Sequence, residues 1–194
     1  MLNKKVILAS QSPRRKQLLE WAEIKFDIKV LHSKEDYPEN ISIEDVPVYI
    51  ATQKGKIVWD SLESMQQKNT IVIAADTIVV LNNEIIGKPE NRAIAIKILS
   101  KLSGNKHRVI TGLSIISDQE VISFYDITYV QFHTLTVEQI EYYIDQYKPY
   151  DKAGAYAIQE WIGVTGIHSI DGDFYNVMGL PISRVVKALE QISK

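Results

Sequence analysis

The segment Ala9-Ser-Gln-Ser-Pro-Arg-Arg15 sets two guanidinium groups in what reads as the first turn of a helix. A helix start offers unpaired N–H groups and the positive end of its dipole, both of which favour an anion. Arg14 and Arg15 run against that dipole, and an arginine fork matches phosphate oxygens two at a time. The plain alternative is that both arginines pair with surface carboxylates. Asp76 is the second signal. It interrupts Ile71-Val-Ile-Ala-Ala-Asp-Thr-Ile-Val-Val-Leu81, where an unpaired buried carboxylate would cost several kcal/mol. Such a residue stands at the exposed end of a strand or is held by cations and metal, and both arrangements suit an active site at strand ends. An Asp that merely caps a turn is the competing reading. Lys54, Lys88 (in Gly87-Lys88-Pro89) and Lys152 (in Asp151-Lys152-Ala153-Gly154) each read singly as solvated surface lysines. Together with the arginines they carry enough charge to neutralise a triphosphate.

Other chemistries are excluded by residue type. The chain has no cysteine, which removes disulfides, thiolate nucleophiles and Cys-ligated zinc together. His32, His107, His133 and His168 show no ligand spacing, and neither a Walker P-loop nor a GxGxxG motif occurs. Phosphates, if bound, are therefore held by side chains and a helix start. The three Trp and most of the ten Tyr read as core or rim residues.

The elements that must position these groups follow from local pattern. Lys5–Leu8 reads as a first strand, and Ser12 caps a helix that has Pro13 at its first position and runs to Trp21. Phe26–Val30 reads as a second strand and His32–Glu44 as a long polar loop. Asp45 is a candidate cap for a helix through Tyr49, Ile50, Ile57, Val58 and Leu62. The β-branched run Thr70–Leu81 predicts a buried strand, followed by a turn at Asn82-Asn83 and the short strand Glu84–Ile86. Asn91–Leu102 predicts a helix with Ala93, Ile94, Ile98 and Leu102 inward, closed by Ser103-Gly104. Val109–Ser117 and Val121–Phe132 predict a long hairpin, and Thr136-Val-Glu-Gln139 a capping box opening a helix to about Gln146. Val164–Ile170 reads as a strand, and Pro181 starts a last helix through Leu189. No repeat or Pro/Gly linker marks a boundary, so the expectation is one α/β domain over residues 1–194 with a mixed sheet.

Composition narrows the partners. With 194 residues, 45% hydrophobic and 24% charged, the chain has the balance of a globular protein. Lys plus Arg is 22 against 24 Asp plus Glu, a net charge of −2, whereas a general nucleic-acid binder needs a basic excess. Uncharged apolar runs reach only about ten residues, too short to span a bilayer. The N-terminal lysines before an apolar run invite comparison with a signal peptide, but that run stops at Ala9 and reads as a strand. A cytoplasmic protein with neither membrane nor nucleic acid as partner is expected, and the sequence leaves a homodimer open.

Taken together, these segments resemble the Maf family, the septum-formation-type nucleoside triphosphate pyrophosphatases. The resemblance rests on Leu8-Ala-Ser-Gln-Ser-Pro-Arg-Arg15, Ala75-Asp-Thr-Ile-Val79, Gly87-Lys-Pro89, Leu102-Ser-Gly-Asn-Lys-His107 and Val109-Ile-Thr-Gly112. It continues through Asp151-Lys-Ala-Gly-Ala-Tyr-Ala-Ile-Gln159 and Asn176-Val-Met-Gly-Leu-Pro181, in family order and over nearly the whole chain. It implies an elongated central sheet flanked by helices, similar to inosine-triphosphate-pyrophosphatase-like folds, with a cleft beside the sheet. It also implies cleavage between the α and β phosphates, dependent on Mg²⁺ or Mn²⁺, giving a monophosphate and pyrophosphate. By the same resemblance, Asp76 matches the proton acceptor. Arg14, Thr77 and Gln159 match specificity positions with the identities of the subgroup acting on dTTP and UTP. Ser10, Arg14, Lys54, Lys88 and Lys152 match positions near the phosphates. The acidic loop residue that would join Asp76 at the metal falls on Glu35 if Tyr37-Pro38 anchors the register, with Asp36 its near rival. Asp76 is thus a candidate base and a candidate metal ligand. Lys148 before Pro149, and Ala157 and Glu160, depart from the common family residues. A preference for CTP or methylated GTP, and a regulator of cell division that binds nucleotides without cleaving them, are the competing readings.

Overall fold

The computed structural model describes residues 4–192, so the expected domain extends past the described residues at both ends. In chain order the elements are β1 (Lys5–Leu8), α1 (Pro13–Trp21), β2 (Phe26–Ile28), α2 (Val46–Asp60), α3 (Ser64–Gln67), β3 (Thr70–Leu81) and β4 (Glu84–Ile86). They continue as α4 (Arg92–Leu102), β5 (Lys106–Ile116), β6 (Val121–Phe132), α5 (Val137–Tyr147), a 3₁₀ turn at Ala153–Ala155, α6 (Trp161–Gly166), β7 (Ile167–Asp171), α7 (Phe174–Met178) and α8 (Ile182–Ile192).

The seven strands form one mixed sheet in the order β2-β1-β3-β5-β6-β7, with β4 paired to β3. β1 is parallel to both neighbours, Val6 lying opposite Phe26 on one side and Ile71 on the other. Parallel pairing needs long crossovers, which α1 and α2 supply. β4 is antiparallel to β3, and β7 to β6. β5 and β6 are joined through Ser117–Glu120, a connection too short for anything but an antiparallel pair.

By its contacts the chain falls into two compact units, Met1–Asp76 with Thr111–Asp126 and Gly179–Lys194, and Thr77–Ile110 with Ile127–Met178. In the first unit, Ile7, Ala9, Val58, Val72, Ala74 and Ile116 form a buried cluster, with Trp59 and Leu62 packed against it. Helix α2 lies unusually close to the strands beneath it. A Cβ at Gly112 would stand 2.1 Å from the Val48 nitrogen, and one at Gly55 would stand 3.0 Å from Ile116 Cδ1. At Gly112 the clash would be with backbone, so only glycine permits that approach. In the second unit, α4 buries Ala95, Leu99 and Leu102, and α5 buries Ile140, Tyr143 and Ile144. Asn176 is buried there and donates to Val109 O at 3.1 Å and Thr128 Oγ1 at 3.0 Å, which fixes the chain leading out of α7.

Most expected elements stand where local pattern puts them, and the exceptions have physical reasons. Ser12 and Asp45 occupy N-cap positions, but neither side chain caps its helix. Asp45 instead accepts the Ser42 hydroxyl at 2.7 Å. The second strand ends at Ile28, short of Val30. On α4 the inward residues are Ala95, Leu99 and Leu102, while Ala93 and Ile94 are exposed. The run Ala93-Ile-Ala-Ile-Lys-Ile-Leu99 is apolar on more than one face, so spacing leaves its phase ambiguous. The expected strand Val164–Ile170 begins late: Trp161–Gly166 is helical and pairing starts at Ile167. There Gly163 N–H and Val164 N–H both turn back to Glu160 O, at 2.9 and 3.3 Å, and this turn overrides the strand preference of Val164 and Thr165.

Candidate active site

β1 ends at Leu8 while β3 runs on to Leu81, and pairing between them stops at Leu8 opposite Ile73. The Ala9 N–H still reaches Ile73 O at 2.8 Å. Asp76 therefore lies on β3 beyond the carboxyl end of β1, where the chain turns into α1. The carboxyl ends of parallel strands are where α/β sheets place ligands. Its side chain keeps 15% exposure, enough for access and too little for a carboxylate to be left without a partner.

The partner is Lys54. Carried on α2 beside Gly55, it donates from Nζ to Asp76 Oδ1 at 2.8 Å and to Glu35 Oε1 at 2.6 Å. The long polar loop thus brings Glu35 to the ammonium, and Asp36 is exposed. Two carboxylate oxygens converge on one nitrogen and so lie no further apart than about two hydrogen-bond lengths.

Ser10 and the arginines of α1 complete the cationic side of this group. The Ser10 Oγ, on a residue only 8% exposed, accepts the Ser12 N–H and Arg15 Nη1, each at 3.2 Å. Arg15 Nε donates to Gly179 O at 2.9 Å, so the guanidinium ties the β1–α1 turn to the segment before α8. Burial lowers the pKa of Arg15 from its ordinary value. Asp76 and Glu35 pull the other way, while the charge of Arg14 adds to the lowering. Arg14 is half-buried, and its field reaches Arg15. Both arginines stand in the expected first turn; Arg15 reaches Ser10 and feels both carboxylates, while Arg14 was matched to phosphate and base by the family resemblance.

In the second unit the Gly87-Lys88-Pro89 and Asp151–Gly154 segments meet through their backbones, Gly154 N–H donating to Gly87 O at 3.2 Å. Lys88 is exposed. Lys152 has a side chain only 10% exposed, with Nζ 2.8 Å from Asp151 Oδ1 and 3.7 Å from Glu160 Oε1. Gln159 is exposed at the end of the same loop, and Thr77 is half-buried in β3. Tyr143 and Glu160, which sequence reasoning did not select, meet at this loop: the Tyr143 hydroxyl donates to Glu160 Oε2.

Chemically, the first unit offers a carboxylate beside an ammonium, a second carboxylate, a buried hydroxyl and two guanidinium groups. That set can bind an anion chain and accept a proton next to it. Among the described residues no helix is long and apolar enough to cross a membrane.

Comparison with known proteins gives a family and named relatives. The sequence profile described as Maf-like protein matches residues 5–192. A Cytophaga hutchinsonii protein named dTTP/UTP pyrophosphatase is 47% identical over 190 residues, covering 98% of this chain and 85% of its own. Proteins of the same name from Porphyromonas gingivalis and Phocaeicola vulgatus are 42% and 44% identical, over 98% and 97% of this chain and 95% and 96% of theirs. Among solved structures, the Staphylococcus aureus Ham1 protein aligns with a TM-score of 0.42 at 19% identity, over 66% of this chain and 72% of its own.

Proposed function

The chain belongs to the Maf family, and from that premise we propose that it hydrolyses dTTP and UTP to the nucleoside monophosphate and pyrophosphate. The observation that carries this reading is the convergence of Asp76 and Glu35 on the Lys54 ammonium, at the carboxyl end of parallel strands. The names of the relatives support the substrate.

Asp76 accepts a proton from water as the water oxygen bonds to the α-phosphorus. The bond from that phosphorus to the bridging oxygen breaks, and the electron pair leaves with pyrophosphate. Lys54, Arg14 and Ser10 bind phosphate oxygens and balance charge that grows on them during the step. By the family resemblance Lys88 and Lys152 are assigned to phosphate binding, and Thr77, Gln159 and Arg14 to the choice of base. Two carboxylate oxygens that already share one cation form a hard donor set suited to Mg²⁺ or Mn²⁺, with phosphate oxygens and water filling the remaining positions. Glu35 and Asp76 would hold that ion, and when bound it supplies charge neutralisation and orientation of the phosphates. A tight metal ligand makes a poor base, so Glu35 is assigned the firmer hold and Asp76 the proton. A chain without cysteine supports a cytoplasmic setting for this chemistry.

The test is product analysis with a panel of dTTP, UTP, CTP, GTP and a methylated GTP in Mg²⁺ or Mn²⁺. UMP with pyrophosphate is expected from UTP. UDP with orthophosphate as first products would overturn the reading, and binding with no turnover would favour a nucleotide-binding regulator.

A further inference from the structure

The loop from Asp151 to Glu160 is gripped by a phenol that none of the roles above uses. Tyr143, on α5, has no solvent exposure. Its ring stacks on Tyr147 at 5.0 Å, which fixes the direction of its hydroxyl. That hydroxyl accepts the Ala157 N–H at 3.1 Å and donates to Glu160 Oε2. The other carboxylate oxygen, Oε1, stands 3.7 Å from Lys152 Nζ, near enough to attract and too far to accept a proper hydrogen bond.

The two counter-charges of Lys152 are unequal. Asp151 makes the shorter contact, 2.8 Å, but its side chain is 61% exposed, so solvent weakens the pair and the carboxylate can swing away. Glu160 is 22% exposed and is tethered from behind, so its charge acts steadily on an ammonium that is itself 10% exposed. An untethered Glu160 would close on Lys152 and take one of its three N–H donors. Held by Tyr143, it balances the charge and leaves to incoming oxygens the donors that Asp151 does not take.

We propose that Tyr143 is a positioning residue for Lys152, the phenol holding the Glu160 carboxylate back so that the ammonium stays available to the phosphates of the substrate. The inference rests on the pyrophosphatase reading, since it gives Lys152 a phosphate to bind. It makes the Tyr143 hydroxyl a determinant of substrate affinity although it touches no substrate.

The experiment compares wild type, Tyr143→Phe, Glu160→Gln and the double variant, by melting temperature and by KM and kcat for UTP. Releasing a charged hydrogen-bonded group lets it compete for Lys152, so Tyr143→Phe is expected to raise KM about tenfold with kcat within about threefold. Glu160→Gln removes the competing charge and is expected to leave KM unchanged or lower it. The double variant is expected to return KM to within about threefold of wild type, because no carboxylate remains to close on the lysine. A phenol that only supported the fold would leave the double variant as impaired as Tyr143→Phe. An unchanged KM in Tyr143→Phe, a double variant without recovery, or a tenfold rise in Glu160→Gln alone overturns the inference, and the last applies even if Tyr143→Phe does not fold. A wild type that releases UMP and pyrophosphate while the variants fail these expectations sinks the inference alone; a wild type that does not cleave UTP sinks the pyrophosphatase reading and the inference with it.

Discussion

The Lys54 ammonium donates to Asp76 Oδ1 at 2.8 Å, and the same nitrogen reaches Glu35 Oε1 at 2.6 Å. Lys54 comes from α2, Asp76 from β3 and Glu35 from the loop before α2, so three separate parts of the chain are pinned at one atom. α2 comes down closely on β5 at Gly112, where a Cβ would clash with the backbone of Pro47 and Val48. One cation between two carboxylates holds them near each other, which is the geometry the proposed site uses.

Asp76→Asn keeps the side-chain shape and an oxygen for Lys54, but removes the basicity. Turnover of UTP is expected to fall at least about 10²-fold, the usual loss for a positioned base. The melting temperature should change little, because the contact to Lys54 persists in weaker form. Nucleotide affinity should hold or rise, since one charge that repels phosphate is gone. Steady-state kinetics with calorimetric binding checks this, and near-normal turnover would remove Asp76 from the mechanism.

Lys54→Met tests the cation itself. The variant leaves Asp76 and Glu35 facing each other without their shared counter-charge, a repulsion that a divalent ion relieves. Mn²⁺ binding to the nucleotide-free protein is therefore expected to tighten by roughly tenfold, while kcat/KM for UTP falls by about as much or more as a phosphate contact is lost. Titration of free Mn²⁺ by electron paramagnetic resonance reads the first effect. An Mn²⁺ affinity equal to that of wild type would mean the two carboxylates do not form one cation site.

What the sequence made legible was local. The capping box at Thr136 and Gln139 forms with both of its bonds, and the β-branched run Thr70–Leu81 is a strand over those same residues. By residue type alone, Asp76 in an apolar strand and the arginine pair after the first strand pointed to a charged site; Ser10 and Glu35 came from the family resemblance, and Lys54 was a solvated lysine until that resemblance gave it a place. What pairs with what was not legible. Glu35 and Lys54 are 19 residues apart, and Lys54 and Asp76 are 22 apart, and no periodicity links them. Nor could spacing reveal that Arg15 would reach Ser10, or that a phenol on α5 would meet Glu160. The helix at Trp161–Gly166 was hidden for a related reason: its turn onto Glu160 O competes with, and defeats, the strand preference of Val164 and Thr165.

Gln159 is exposed on the loop that carries Lys152, free to meet a base. Its amide can donate to the O4 of uracil or thymine and accept from N3–H, but turned over it meets cytosine equally well, so choice against CTP also needs a neighbour that only donates, such as a guanidinium. Mispairing one such group costs about 1–3 kcal/mol, enough for roughly ten- to a hundredfold selectivity. Wild type is expected to prefer dTTP and UTP over CTP and both purine triphosphates. Gln159→Ala should erode that preference more than it slows the best substrate, read as ratios of kcat/KM across the panel. A variant that keeps the ratios while losing rate would move base choice elsewhere, and fastest hydrolysis of GTP or a methylated GTP by wild type would overturn the pyrimidine preference.

His107 gives the fold a pH dependence with a defined sign. The ring is 1% exposed, its Nε2 lies 2.7 Å from the Tyr156 hydroxyl, and it packs against the rings of Phe132 and Tyr156, which also touch each other. Burial pushes its pKa down from 6.5 to about 4, only partly offset by the backbone of Asn105. The unfolded chain, with an ordinary histidine, therefore binds a proton between these values that the folded chain refuses. Stability from this group is fully present above about pH 6.5 and is lost progressively as pH falls towards 4, by at most roughly 3 kcal/mol. Carboxylates add their own losses at the acid end, so the measurement is a difference. Urea unfolding of wild type and His107→Gln is compared at pH 7, 5.5 and 4.5, the glutamine keeping a polar group towards Tyr156. Wild type should be the more stable at pH 7, and its advantage should shrink by about 2 kcal/mol by pH 4.5 as the histidine is forced to protonate on unfolding. A gap that stays constant across this range would show that the buried ring does not resist protonation.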